Sequence, residues 1–417
     1  MPNNKFTLLH TPVGLTTPVT DISDAVMINE SEGIRSTADT FSFTVQAKDK
    51  YKRQAADGGC FFNDGDRIRL YLSSGDTTPQ LVIDGIIKEI DYSGSLDRDT
   101  YTIQGQNILE ILLNAPVPAA YSKTGSFNTS AKAIQNIVTQ ASGLNKNAKY
   151  TFVTNISATL KSAGGYIDDT TNTLITFPSD YGRTHMPAFQ IIEELSTWKW
   201  TGLDIALGTY IYYLDSSNNF HWEPISNTVS GGINIGDYLD IRINKTIFDV
   251  INYMIINCGK DFNGNTITTF AFRPTYLVKG IRGKYFVNEQ LANNRKAVPY
   301  ASNKPWGNAD KSDGNTDNNT FRSRVQADGK AWGESVLQVF GAPRFQATIT
   351  MKGTTAFAKG NLYTLNIPGV FRGINDDVID SLDLRLRQVS HRINSSGWTT
   401  QLQLQQDEIS ITGAGTV

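Results

Sequence analysis

LDLRLRQVSHRINSSGWTTQLQLQQDE, Leu382 to Glu408, is the stretch whose reading decides the fold. Leu382, Leu384 and Leu386 alternate with Asp383, Arg385 and Arg387, which sets an apolar face against a face for water. After Asn394-Ser395-Ser396-Gly397 the alternation resumes in Trp398, Thr400, Leu402 and Leu404, so the stretch reads as two strands joined by a tight turn. Between Leu386 and Val389 the phase slips by one residue, after which Val389, His391 and Ile393 carry the inward face. One extra residue in a bulged strand has this effect, and a bulge twists a sheet toward closure. The stretch is therefore expected to be the closing hairpin of an antiparallel barrel.

Working outward, residues 1–116 read as another small antiparallel barrel. Phe41, Phe43 and Val45 alternate with polar neighbours, and Asn63-Asp64-Gly65-Asp66 turns the chain into Ile68, Leu70 and Leu72. LVIDGIIKEIDYSG follows, with Asp84-Gly85 interrupting two apolar runs, and a strand ending near Gly105 leads into a short helix carrying Ile108, Leu109, Ile111 and Leu112. Residues 117–235 change character. Ser130 is placed to cap a helix with Ile134, Ile137, Val138 and Ala141 on one side and Gly143 at its end. A second helix after Pro187 (Ala188, Ile191, Ile192, Leu195) precedes a hairpin with its tip at Asp215 to Asn219 and Phe220 and Trp222 on its second strand. From Asp237 alternation returns in Leu239, Ile241 and Ile243. FDVINYMIINCG, Phe248 to Gly259, is apolar on both faces and is expected to be buried. Farther on, NKPWGNADKSDGNTDNN reads as a polar loop, and a long helix from Thr320 keeps Phe321, Val325, Trp332, Val336 and Phe340 on one face, with Gly329 and Gly333 four apart.

With 417 residues the chain has room for two or three domains. A formal net charge of −2 exerts no general pull on phosphate backbones, so nucleic-acid binding is not the main task. No apolar run reaches the ~18 residues of a membrane span, and MPNNKFTLLH lacks the charged-then-apolar start of a signal peptide, so assembly in the cytoplasm is expected. Cys60 and Cys258 belong to no CxxC pair and read as incidental thiols.

No catalytic, cofactor or metal site is expected. His10, His185, His221 and His391 are scattered, without a second ligand at metal spacing. Glu193 and Glu194 are adjacent on a helix whose apolar face lies elsewhere. Asp310, Asp313 and Asp317 with Gly314 lack the alternating oxygen ligands and closing Glu of a calcium loop. Lys279, Arg282 and Lys284 read as a solvated face, or as channel residues touching passing DNA. There is no GxSxG, no Gly-rich phosphate loop followed by Lys and no HExxH.

VSHRINSSGWTTQLQL, approached through KGNLYTLNIPG, resembles the carboxy-terminal end of baseplate hub proteins of contractile-tailed phages and related contractile injection systems. The DG-containing strand followed by a strand, Gly and a short helix, and the helix and aromatic hairpin before Pro224, resemble the same family. The resemblance implies a mainly β (α+β) fold: two similar tail-tube-like antiparallel β-barrels, 1–116 and 236–260 plus 343–410, around an α+β middle domain at 117–235. An insertion at 261–342 packs with the middle domain. It implies a homotrimer with a pseudo-six-fold ring that adapts a six-fold tail tube to a three-fold spike, in a virion tail baseplate, with DNA passing through unrecognised. Only Ile409 to Val417 follow Glu408, so a separate spike protein is expected. The alternative is a β-rich protein that binds or cleaves carbohydrate, prompted by Trp198, Trp200, Trp222 and Trp306; its carboxylates could come from distant positions.

Overall fold

A computed structural model describes most of residues 5–115, then 130–144, 153–155, 167–168, 173–174, 187–197, 210–246, 251–272, 283–287, 292, 317–340 and 344–406, less a few connecting residues. It is mainly antiparallel sheet. The first segment contributes β1 (Lys5–Thr11), β2 (Thr20–Asp21), β3 (Met27–Gly33), β4 (Thr40–Gln46), β5 (Arg67–Ser73), β6 (Gln80–Ser93) and β7 (Thr100–Asn107), then α1 (Leu109–Asn114). In space they run β3-β4-β7-β6-β5-β1-β2, and every neighbouring pair is antiparallel. The alternation read from the sequence is the burial seen: Phe41, Phe43, Val45, Ile68, Leu70 and Leu72 all face one core.

Asp84-Gly85 does not interrupt β6, which runs through it. Its glycine is required because the Phe41 ring and the Gln106 carbonyl occupy the space above. A Cβ on Gly85 would lie 2.5 Å from Gln106 O and 2.8 Å from Phe41 Cε1. Two apolar runs separated by Asp-Gly are thus one strand passing under an aromatic ring.

The middle region holds α2 (Ser130–Leu144), β8 (Val153–Asn155), β9 (Ile167–Asp168), β10 (Thr173–Leu174), α3 (Ala188–Thr197), β11 (Tyr210–Leu214) and β12 (Asn219–Pro224). Ile134, Ile137, Val138, Ile191 and Ile192 are buried, as their helical spacing requires. The β11–β12 hairpin turns at Asp215 to Asn219, with Asn218 at φ +64.

Then follow β13 (Val229–Ile233), β14 (Asp240–Thr246), β15 (Tyr253–Lys260), β16 (Thr266–Phe272), β17 (Gly283–Val287), α4 (Asn318–Phe340), β18 (Arg344–Lys352), β19 (Leu362–Arg372), β20 (Val378–Asn394) and β21 (Gly397–Gln405). Six of these form the second β unit in the order β14-β18-β21-β20-β19-β13. This order matches β3-β4-β7-β6-β5-β1 strand for strand. All pairs are antiparallel in both, except that β13 lies parallel to β19. The match reaches the irregularities. In β20 Leu386 faces Leu404 and Gln388 faces Gln403, so Arg387 is the bulged residue, at the phase slip in the sequence. In β6 Ile87 faces Gly105 and Glu89 faces Gln104, which makes Lys88 its counterpart. Gly65 and Gly360, at φ +83 and +85, each donate their N–H over 2.9 Å to the carbonyl just before the bulge, Ile87 O and Leu386 O.

Four expectations need correction. Residues 253–260, expected in the second barrel, form a separate three-stranded sheet, β16-β15-β17, because β15 pairs with β16 and β17. That sheet is not buried on both faces, since Ile255 is exposed while Met254 and Ile256 are covered. The long helix α4 packs on this sheet rather than on the middle region. Phe321 and Val325 join its core, and Gly333 admits Ile256 and Ala271, whose side chains would lie 2.5 and 2.7 Å from a Cβ there. Finally β13, placed by the sequence in the middle domain, belongs to the second β unit through β19.

Candidate functional site

Residues 388–393 of β20 pair with residues 28–33 of β3, so the two β units join edge to edge in one thirteen-stranded sheet. Along this seam side chains alternate between two faces. On the inner face Ile393 meets Ile28, His391 meets Glu30, and Val389 meets Glu32. Trp398, from the second unit, is buried in the core of the first. Its indole N–H donates to His391 Nδ1 at 3.3 Å, and Thr400 Oγ1 lies 3.1 Å from the same nitrogen. Burial pushes the His391 imidazole down to about 4, opposed by Glu32.

Lys359 closes the seam at one end. Its ammonium lies 3.0 Å from Glu32 Oε2 and 2.8 Å from Asp39 Oδ2, and 5.6 Å from the Tyr213 ring centre. Burial works against this charge, but the two carboxylates outweigh it and hold the Lys359 pKa above the ordinary lysine range. Asp39 also accepts from Asn107 Nδ2 at 2.6 Å and from the Gly33 N–H at 2.8 Å. Its burial still prevails over Lys359 and pushes it up to about 6. Glu30 is buried, and neither carboxylate oxygen has a hydrogen-bond partner among the described residues. Burial first, then Glu32 and Asp39, raise its pKa well above the ordinary value against the pull of Lys359. The middle hairpin completes the junction: Tyr213 stacks on His221 at 4.5 Å and donates to Glu223 Oε1 at 3.1 Å.

The outer face of the same seam is an open groove of about 910 Å³, lined by Asn29, Ser31, Ser42, Gln104, Ser390 and Gln401, with Lys88, Glu89 and Arg392 at hand. Ser390 donates to Ser31 at 3.0 Å and Gln388 donates to the same hydroxyl, so the floor is stitched across the join. Hydroxyls and amides of this kind wet readily and carry little charge.

The sequence-predicted candidates do not converge. His10 Nε2 lies 2.8 Å from Asp66 Oδ2, His221 Nε2 lies 3.1 Å from Asp215 Oδ2, and His391 sits in the seam; His185 lies outside the described residues. No group of three His, Cys, Asp or Glu able to hold a metal occurs among the described residues. Asp317 caps α4, accepting from the Asn319 and Thr320 N–H groups at 3.0 Å. Asp310, Asp313, Gly314, Cys60, Lys279, Arg282, Trp198, Trp200 and Trp306 lie outside the described residues, as do the side chains of Glu193 and Glu194. Lys284 sits 5.2 Å from the Phe286 ring. Cys258 is a buried thiol pushed up to about 12 by burial and by Asp328. Trp222, offered as a carbohydrate-binding aromatic, is fully buried and gives that alternative no surface.

Arg385 is a correction. Expected on the water face, it is 1% exposed, and donates to Gly360 O at 2.6 Å and Ser226 O at 2.7 Å because the chain around Ser226 covers that side of β20. Glu30, Glu32, Asp39 and Lys359 were not singled out in the sequence. The one signal was for Glu30 and Glu32, charges at β3 positions whose strand phase points inward; Asp39 and Lys359 lie outside the strands and carried none.

No protein-family model matches the chain, and no curated protein matches it by sequence. Solved structures do. A tail protein from Neisseria meningitidis MC58 aligns at a TM-score of 0.58 and 10% identity, over 97% of each chain. The 43 kDa tail protein of prophage MuSo2 from Shewanella oneidensis aligns at 0.58 and 12%, over 98% of this chain and 99% of that one. A chain of the Francisella PdpA–VgrG complex aligns at 0.53 and 11%, covering 98% of this chain and 59% of that one. At such identities the likeness is one of fold: the chain has the mainly antiparallel β fold of phage tail proteins.

Proposed function

We propose that the chain is a structural baseplate hub, a homotrimer that adapts a six-fold tail tube to a three-fold puncturing spike and lines part of the channel between them. The observation that carries this is the strand order repeated twice and joined edge to edge in one chain. Three such chains supply six similar units, and a closed ring pairs every strand edge without leaving a growing end. The repeat names the edges. β14 corresponds to β3, and the Lys88–Ser93 half of β6 corresponds to the half of β20 that β3 pairs with. Pairing between copies in the same register sets Tyr92 opposite Ile243, as His391 stands opposite Glu30 within a chain. Tyr92 is 59% exposed and Ile243 partly so.

The hydroxyl- and amide-lined groove serves as channel wall, letting genome or effector pass without specific contacts. The role involves no turnover. The test is particle stoichiometry together with oxidation of a Tyr92→Cys, Ile243→Cys chain. Three copies per particle and a covalent trimer are expected. Six copies at this level, or no covalent link between chains in assembled particles, overturns the reading.

A further inference from the structure

The insertion sheet leaves one face open. Phe270, Ile255 and Tyr285 form one cross-strand row on it, flanked on one side by the row of Phe272 and Tyr253 and on the other by the row that holds Val287. Phe270, Tyr285 and Val287 are each 58% exposed. Together these side chains offer on the order of 500 Å² of apolar surface, the size at which an exposed patch marks an interaction site.

We infer that this face clamps a second copy of the chain, at the corner formed by Val13, Leu15 and the Asp64-Gly65 turn. The inference rests on the ring reading and adds a contact outside the strand edges. Within one chain, the connection from β3 to β4 grips the bulge of β20 and the turn before β19: Ile34 N–H donates to Arg387 O at 3.0 Å, and Asp39 holds Lys359 at 2.8 Å. The repeat assigns each part a counterpart. The connection from β14 to β18 is the whole insertion, and Lys359-Gly360 corresponds to Asp64-Gly65, since Gly65 and Gly360 make the same bond to the bulged strand. In a ring the insertion of one copy therefore lies over the Asp64-Gly65 turn of the next.

That corner is suited to receive it. Val13 is 54% and Leu15 47% exposed, and Val13 packs against the Gly65 turn, 3.4 Å from where a Cβ would be. Charge also matches. Residues 253–287 contain Lys260, Arg273, Lys279, Arg282 and Lys284 against Asp261, whereas 11–24 and 61–66 contain no Lys or Arg and expose Asp21 and Asp64, with Asp24 paired to Lys48 and Asp66 buried against His10.

The experiment places a benzoylphenylalanine photo-crosslinker at position 285 of the full chain, in assembled oligomers mixed from light and heavy isotope-labelled protein. A crosslink from position 285 to the 5–26 or 61–66 peptide of a differently labelled chain is expected. In parallel, Phe270→Glu with Tyr285→Glu, and separately Leu15→Asp, should each weaken association at least tenfold while leaving the thermal transition of the monomer unchanged. If the Tyr92→Cys, Ile243→Cys link forms but position 285 crosslinks elsewhere, this inference is wrong and the ring stands. If neither link forms in an oligomer, or the chain stays monomeric in assembled particles, both fall.

Discussion

Lys359 Nζ lies 2.8 Å from Asp39 Oδ2, a buried ion pair between residues 320 positions apart that ties the second β unit to the first. Glu32 shares the same ammonium at 3.0 Å. Lys359→Met leaves the buried carboxylate of Asp39 and the half-buried one of Glu32 without a counter-charge. Loss of one partner of a buried pair costs about 3–5 kcal/mol, and a fall of that size in unfolding free energy by urea titration is expected. A loss below about 1 kcal/mol would mean that the pair contributes no net stability. Replacing Lys359, Glu32 and Asp39 together by apolar residues should cost less than Lys359→Met alone, because no charge is then stranded.

The seam is sensitive to acid through His391. Its folded pKa of about 4 lies below the ordinary 6.5, so its contribution is complete above 6.5 and is lost as pH falls through about 4. At ~1.4 kcal/mol per unit this is worth about 3 kcal/mol. The groups packed on the ring are Trp398 and Thr400, with Glu30 on the adjoining strand and Glu32 near by. His391→Gln should flatten the loss of stability between pH 6.5 and 4, measured by denaturation at each pH. An unchanged acid limb would place its origin elsewhere.

Glu30 has the opposite sign. Its folded pKa is raised, so its contribution is complete below the unfolded value near 4.5 and is lost as pH rises through the folded one. Glu30→Gln keeps the shape and removes the proton equilibrium. The variant is expected to gain on the wild type steadily with rising pH, by thermal melts from pH 5 to 9. Parallel curves would show that Glu30 does not titrate in that window.

Gly353 admits the Trp398 indole so closely that a Cβ would lie 2.0 Å from Trp398 Cδ2. Gly353→Ala must displace a ring that fills the first core from the second unit, at a cost of about 1–3 kcal/mol. With Trp398→Leu the added methyl has room, so the two changes should be non-additive in a double-mutant cycle. Additivity within about 0.3 kcal/mol would show that the ring moves aside at no cost.

The proposed absence of turnover is also testable. Purified protein incubated with peptidoglycan or polysaccharide should release no more product than buffer does. Hydrolysis that disappears with one carboxylate substitution would restore the carbohydrate reading.

What the sequence made legible follows from period. Phe41-Phe43-Val45 and Ile68-Leu70-Leu72 alternate strictly, the 382–404 hairpin does so on either side of its one-residue slip, and the apolar residues of each take the core face that alternation dictates. The one-residue slip after Leu386 became a bulge at Arg387 because an added residue cannot change phase in any other way. What failed was partnership. Phe248 to Gly259 looks doubly buried from its composition, yet nothing in a single strand's pattern tells which sheet will take it or whether one face will stay open. Arg385 alternates like a solvent residue and is buried by a chain segment some 159 positions away. The seam carboxylates were missed for a related reason. A buried Glu on an inward phase looks like noise until Lys359 is seen beside it.

The β20–β3 join also bears on how a ring would assemble. Where two β units belong to separate chains, their edges must meet by collision at the prevailing protein concentration. Here one covalent chain holds both, so the second unit meets the first at an effective concentration set by the connecting segments, on the order of millimolar for short flexible tethers. In a ring of three such chains half of the six joins form during folding and depend on no concentration at all. Only the three between chains remain open to dilution, so assembly of such a ring could be timed by the arrival of a partner rather than by synthesis of the chain.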